Sequence, residues 1–260
     1  MENILTGFHA VEERVRRVSE AKDAAAAAKM TIFFDKAGPR IKKILAYAKD
    51  AGVKAIKSER AVLDEKTRSL SETARDHRGI ILVIAGETQS ESSVDFEQEI
   101  EALKMAERAT VVILDSITDP HNTGAIIRSA DQFGTDLVVI PNRHGAEADG
   151  EVVARASAGA AAWVKTARVS NLSRALEMLK ERGFWVYGAS ADGTTLSECA
   201  FSPKCAIVMG SEGSGISRLL REKCDEIVSI PTCGKLDSLN VSVAAGVLLY
   251  ERRRQILASL

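Results

Sequence analysis

The chain is 260 residues long, enough for one large or two modest domains that each bury a core, with an ordinary 45% hydrophobic content and only 5% aromatics. A net charge of −1 gives no overall basic field for nucleic acid, and no apolar run approaches membrane-spanning length. The opening MENILTGFHAVEERVRR reaches charged residues too early for a signal peptide, so a cytoplasmic protein away from membranes is expected.

Charge is unevenly spread. Residues 1–88 carry 17 Lys/Arg against 13 Asp/Glu, a net +4; residues 89–107 carry 1 against 6, a net −5; residues 108–260 carry 17 of each. Four cysteines, Cys199, Cys205, Cys224 and Cys233, form no C-x-x-C pair and have no companion histidine cluster, which favours reduced thiols over disulfides and predicts no metal site.

From 7 to 18 the chain reads as an amphipathic helix with Ala10, Val11, Val15 and Val18 on one face, His9 being a helix-surface or core histidine. An alanine-rich helical stretch follows, then a strand at 31–34, a helix at 39–50, a strand at 53–56, a polar helical stretch and a strand at 80–84. This alternation predicts a small α/β domain over 1–88. Basic clusters at Lys36, Arg40, Lys42 and Lys43, and at Arg75, His77 and Arg78, fit either phosphate contacts or a solvated face. Residues 89–107 are acidic and predict a linker, with a helix from 96 to 106 that either docks on the next domain or stays flexible.

Residues 108–260 form the second predicted domain. A strand at 111–114 runs into Asp115-Ser116-Ile117-Thr118-Asp119-Pro120-His121-Asn122, and Gly124 opens a helix through Phe133. Asn122 then lies just before that helix and Arg128 within it. The structural alternatives are an N-cap for Asn122 and a salt bridge to Asp131 for Arg128. A strand at 137–140, the small-residue stretch ARASAGAAAWV, a helix at 172–181 and a strand at 184–189 follow, the last ending at Ala189-Ser190. A strand at 205–209 stops at Gly210-Ser211-Glu212-Gly213-Ser214-Gly215, where a glycine backbone can approach a ligand closely. A strand at 227–230 is closed by Pro231, and after residues 232–238 apolar residues recur at helical spacing from Leu239 through Val243, Val247 and Leu248. Ser238 and Asn240 therefore fall in a helix's first turn. Loops at the carboxyl ends of neighbouring strands form the ligand crevice of an open α/β sheet. The G-x-x-G-x-G spacing satisfies neither the dinucleotide nor the P-loop fingerprint, which argues against an NAD-dependent enzyme.

Three stretches, DSITDPHNTGAIIRSADQFG, GSEGSGIS, and IP followed by SLNVSVAAGVLLYE, occur in this order and closely resemble the motifs of the SpoU-type RNA ribose 2'-O-methyltransferases of the SPOUT superfamily. GFHAVEERVRR resembles the opening of the ribosomal-RNA members, and ARASAGAAAWV the family's SAGA segment. The resemblance spans nearly the whole chain and is nearest to enzymes that methylate a guanosine of large-subunit (23S) ribosomal RNA. It implies a trefoil-knotted parallel-sheet catalytic domain over 108–260 and an RNA-binding domain over 1–88 similar to the ribosomal protein L30e fold. It implies S-adenosylmethionine as cofactor, held at Ala189, Ser190, Met209, Gly210, Ile230, Ser238 and Leu239. It implies catalytic roles for Arg128, Asn122, Glu212, Ser238 and Asn240, with no metal; because a guanidinium gives up its proton very reluctantly, Arg128 is read as a clamp on a substrate phosphate rather than as the base. A homodimer is implied through a seam at 241–249. A tRNA methyltransferase is the alternative within this class; a catalytically silent RNA-binding assembly factor is the alternative outside it.

Overall fold

In the computed structural model, which describes residues 3–259 apart from 69, 71–74, 86–91, 144, 147–149 and 236–237, the chain forms two separate sheets. The first part runs β1 (Asn3–Thr6), α1 (Phe8–Ala21), α2 (Ala24–Ala28), β2 (Met30–Phe34), α3 (Pro39–Ala51), β3 (Lys54–Lys57), α4 (Arg60–Lys66) and β4 (Ile80–Ile84). Its strands lie in the order β1-β4-β2-β3, with β2 and β3 parallel and β4 antiparallel to both of its neighbours. The apolar stripes of α1 and α3 bury Val11, Val15, Val18, Ile41 and Ile44 against Ile32 and Leu82, while Leu63 of α4 meets Ile81 and Val83 on the other face. Strand β1 has no counterpart in the sequence expectations: four residues give too short a pattern to declare a period, and pairing with β4 is what makes them a strand.

The second part runs α5 (Phe96–Lys104), β5 (Ala109–Leu114), α6 (Pro120–Phe133), β6 (Leu137–Pro141), α7 (Glu151–Ala156), β7 (Thr166–Val169), α8 (Leu172–Glu181), β8 (Trp185–Thr195), β9 (Lys204–Met209), α9 (Arg218–Arg221), β10 (Glu226–Ser229) and α10 (Val241–Ala258). All six strands are parallel, in the order β10-β8-β9-β5-β6-β7. The two-residue period of a strand divides β5 cleanly: Val112 and Leu114 pack toward Ile126 and Ile127 of α6 and Leu248 of α10, and Val111 and Ile113 toward Ile100 of α5 and Leu176 of α8. Helices on both faces explain why β5, β6 and β9 read as continuous apolar runs.

Helix α5 docks. Phe96 and Ile100 are buried against this sheet, Thr166 N donates to Ser92 O (2.6 Å), and Val94 N donates to Thr166 O (2.9 Å). Residues 89–91 of the expected linker lie outside the described residues. The two sheets are tied by polar contacts: Arg155 Nη2 donates to Thr6 Oγ1 (2.9 Å) and Asp76 O (3.2 Å), and Arg17 Nη1 donates to Ala162 O (2.8 Å). Among the described residues no helix is long and apolar enough to cross a membrane.

Candidate active site

The carboxyl ends of β8, β9 and β10 are neighbours, and each continues into one wall of a cavity. Strand β8 pairs with β10 at Tyr187 and Gly188, then again at Thr194 and Thr195, so residues 189–193 leave the ladder as an excursion that β10 does not match. Gly193 ends this excursion against the Ile227–Val228 backbone, closer than 3.0 Å to where any Cβ would stand. After β9, residues 210–217 fold back on themselves: Ser211 N donates to Gly215 O (3.0 Å) and Gly215 N to Ser211 O (2.9 Å). A Cβ on Gly210 would collide with the Gly215–Ile216 backbone, so loop closure by itself requires glycine there. The third wall is the segment from Ile230 to Val241. Its residues Leu236 and Asp237, like His144 after β6, lie outside the described residues.

The cavity measures about 360 Å³ and is lined by Ala189, Ser190, Met209, Gly210, Ile230, Ser238 and Leu239, together with Glu212, Val228 and Ala244 among others. At its edge three side chains distant in sequence converge. Glu212 Oε1 accepts from Asn122 Nδ2 (3.1 Å) and from Asn240 Nδ2 (2.5 Å), and Asn240 Nδ2 also donates to Asn122 Oδ1 (2.9 Å). Asn240 is the N-cap of α10, its Oδ1 accepting from Ser242 N (2.9 Å) and Val243 N (3.3 Å), which turns its NH₂ group toward Glu212. Ser238 precedes α10 by three residues instead of entering its first turn.

Helix α6 begins at Pro120, four residues before the expected start. Asp119 is its N-cap, accepting from His121 N (2.9 Å), and proline at the first helical position lacks only an N–H that would have no partner there. Asn122 is therefore inside the first turn and is released from capping. Arg128 does not join the other residues: it is exposed, does not line the cavity, and stands six residues and about 240° around α6 from Asn122. The alternative pairing with Asp131 is not formed either. Asp131 accepts instead from Trp163 Nε1 (2.5 Å) and Gln132 Nε2 (2.7 Å), and among the described residues Arg128 has no hydrogen-bonding or ionic partner.

Residues 109–250, from β5 into α10, match the sequence model of the SpoU rRNA Methylase family. Over 256 residues the chain is 34% identical to the 23S rRNA (guanosine-2'-O-)-methyltransferase RlmB of Escherichia coli K12, covering 98% of this chain and 99% of that protein. This chain belongs to the SpoU rRNA methylase family. It is also 36% identical over 231 residues to an uncharacterized tRNA/rRNA methyltransferase of Borreliella burgdorferi, covering 87% of this chain and 99% of that one. Its fold is shared by the SpoU methyltransferase AviRb from Streptomyces viridochromogenes, solved in complex with the cofactor AdoMet, at a TM-score of 0.73 and 23% identity over 99% of this chain and 91% of that one.

In this SpoU chain two further residues hold the walls. Asp115, buried at the end of β5, accepts from Ser217 N through Oδ2 (2.6 Å) and anchors the loop after β9. Its signal in the sequence is an acid directly after an apolar strand, at the head of the first motif. Arg221, at the end of α9, donates to Ser190 Oγ (2.9 Å) and Asp192 Oδ2 (2.8 Å), and Ser190 Oγ donates to Asp192 Oδ1 (2.7 Å). The Ser190 hydroxyl and the Arg221 guanidinium hold the Asp192 carboxyl below its usual range. No spacing rule points to Arg221, which lies 31 residues from Ser190.

Proposed function

We propose that this chain transfers the methyl group of S-adenosylmethionine to a ribose 2'-hydroxyl of RNA, in the cytoplasm, with a guanosine of 23S ribosomal RNA as its target. The observation that carries this reading is the cavity at the ends of β8, β9 and β10, with Glu212 held at its edge by Asn122 and Asn240. Its volume, and its mixture of Met209, Ile230 and Leu239 with Ser190, Glu212 and Ser238, suit a small cofactor. Among the described lining residues there is a carboxylate and no lysine or arginine. That charge set suits a cationic sulfonium and disfavours a dinucleotide's pyrophosphate. Identity to RlmB along 98% of the chain supports the ribosomal target.

S-adenosylmethionine, when bound, supplies a methyl group already activated for displacement. The protein's part is to align a ribose hydroxyl and to manage its proton. Glu212 spends Oε1 on the two asparagine amides, and among the described residues no donor reaches Oε2, which is open to a ribose hydroxyl. Arg128 is unsuited to act as a base, since a guanidinium holds its proton too tightly to exchange it with a ribose hydroxyl. As an exposed cation outside the cavity it is suited to clamp a substrate phosphate. Ser238, which lines the same cavity as Glu212, orients the nucleotide.

The finer architecture belongs to the same proposal. Residues 108–260 form the catalytic domain, with β10 and α10 threaded through the loop before them as a trefoil knot, a threading that rests on the family resemblance. Residues 1–88, net +4, form an L30e-like RNA-binding domain joined by 89–107. Two chains pair through α10, whose Val243, Tyr250 and Leu257 recur every seven residues as an exposed apolar stripe.

Tritiated S-adenosylmethionine with unmodified 23S ribosomal RNA and with tRNA, followed by mapping of the labelled ribose, tests the reading. Label on one 23S guanosine is expected. Label on tRNA alone would move the target, and cofactor binding without label on either RNA would favour a silent RNA-binding factor.

A further inference from the structure

Two of the cavity's walls are tied into the fold through their main-chain groups. The loop 210–217 closes through the Ser211–Gly215 pair and is anchored at Ser217 by Asp115, and the segment after β10 runs into the capped start of α10. Between its two ends the third wall shows no such support among the described residues. Strand β8 leaves β9 after Gly188 and rejoins β10 only at Thr194, so residues 189–193 have no ladder partner. At the far end of this stretch Gly193 O accepts from Ser229 Oγ (2.9 Å). Between the two ends it is held by the hydrogen bonds among Ser190, Asp192 and Arg221.

We infer that Arg221 is a positioning residue that sets the width of the cavity by clamping the β8 excursion to the helix that follows the β9 loop. This rests on the reading of the cavity as the S-adenosylmethionine site. Helix α9 begins directly after Ser217, so Arg221 moves with the wall that Asp115 anchors. Its two terminal nitrogens meet two different residues: one fixes the Ser190 hydroxyl, which lines the cavity, and the other holds Asp192, which does not. A lysine ammonium is a point charge and cannot reproduce this two-pronged fit. The Arg221–Asp192 pair is solvent-exposed and adds little to global stability, so its effect falls on the cavity.

The test compares wild type, Arg221→Ala, Arg221→Lys, Asp192→Ala and the double variant Arg221→Ala/Asp192→Ala. Calorimetric titration with S-adenosylmethionine should give a Kd about tenfold higher in Arg221→Ala, the scale of one charge-assisted hydrogen bond. Turnover at saturating cofactor should stay within about twofold of wild type, a KM effect without a kcat effect. Arg221→Lys should fall between the two, Asp192→Ala should match Arg221→Ala, and the double variant should lose no more than either single change. Amide exchange in the cofactor-free protein should speed up at 189–193 and stay unchanged in β5 and β9. Wild-type affinity in Arg221→Ala, additive losses in the double variant, or a fall in kcat at unchanged Kd would overturn the clamp. If wild type does not bind S-adenosylmethionine, the cofactor reading fails on its own, and exchange still decides: faster exchange at 189–193 sustains the clamp and unchanged exchange ends it.

Discussion

Alanine at Gly210 and at Gly213 adds the same methyl group to the same loop, and the structure assigns the two changes opposite outcomes. At Gly210 the new Cβ would stand closer than 3.0 Å to backbone atoms of Gly215 and Ile216. Restoring ordinary contact, at 3.4 Å or more, forces those atoms to retreat by roughly an ångström in a packed region that cannot absorb it. The retreat breaks the reciprocal Ser211–Gly215 hydrogen bonds, each about 1 kcal/mol, and strains the Ser217 N bond to the Asp115 carboxylate, about 1.5 kcal/mol more, for a loss of about 3.5 kcal/mol. At Gly213 nothing lies within 4 Å of the added atom, so stability should stay within about 0.5 kcal/mol of wild type. Urea unfolding gives both numbers, read as a shift in midpoint at constant slope. Calorimetry should find S-adenosylmethionine binding lost in Gly210→Ala, because Gly210 and the loop it closes line the cavity. Equal midpoints for the two variants, with cofactor affinity intact in Gly210→Ala, would refute this account of the loop.

Arg128→Ala should leave stability and cofactor affinity unchanged, because Arg128 has no partner among the described residues and lies outside the cavity, while single-turnover methylation falls by orders of magnitude; unchanged turnover would remove Arg128 from the mechanism. Asn240→Ser keeps a competent N-cap for α10 but is too short to reach Glu212, so thermal stability should hold while turnover falls about tenfold or more; equal turnover would mean that the Asn122–Glu212–Asn240 contact is only structural. Burial pushes the Cys199, Cys205 and Cys224 thiols up to about 11, so a thiol reagent at neutral pH should find one fast site, the exposed Cys233, and the other three only after unfolding. Two or more fast thiols in the native protein would contradict this packing.

What the sequence made legible follows from where each signal resides. Strands β5, β6 and β9 are buried on both faces and announce themselves as apolar runs, and α8 falls at residues 172–181 as its amphipathic period predicts. Strand β7 is an edge strand of four residues, Thr-Ala-Arg-Val, and its pairing with β6 and the bridge from Thr166 to Ser93 distinguish it from a loop. Helix α6 is read as starting at Gly124 because an interior glycine looks like a boundary, yet Asp119 and Pro120 supply the cap and first position that govern its start. The excursion of β8 escapes prediction for a different reason. Its length is set by where β10 breaks register between Ile227 and Val228, a property of two strands that neither carries alone.

The candidate site divides along the same line. Asn122 lies 90 residues from Glu212 and 118 from Asn240, so no local period could join them, whereas the family motifs name all three. Those motifs identify residue types in order; they do not say which surface each side chain meets. Within one chain, Asn122 turns toward Glu212 while Arg128, on the same helix, faces solvent beside His121 and Gln132. The cavity itself offers a carboxylate and no cation among its described lining residues. A polyanionic substrate must therefore be met by charge outside the cavity, and Arg128, exposed there and without a partner among the described residues, is the proposed group. Separating the cationic group from the cofactor cavity lets each be altered alone, which is why the Arg128 and Gly210 substitutions should fail in different assays.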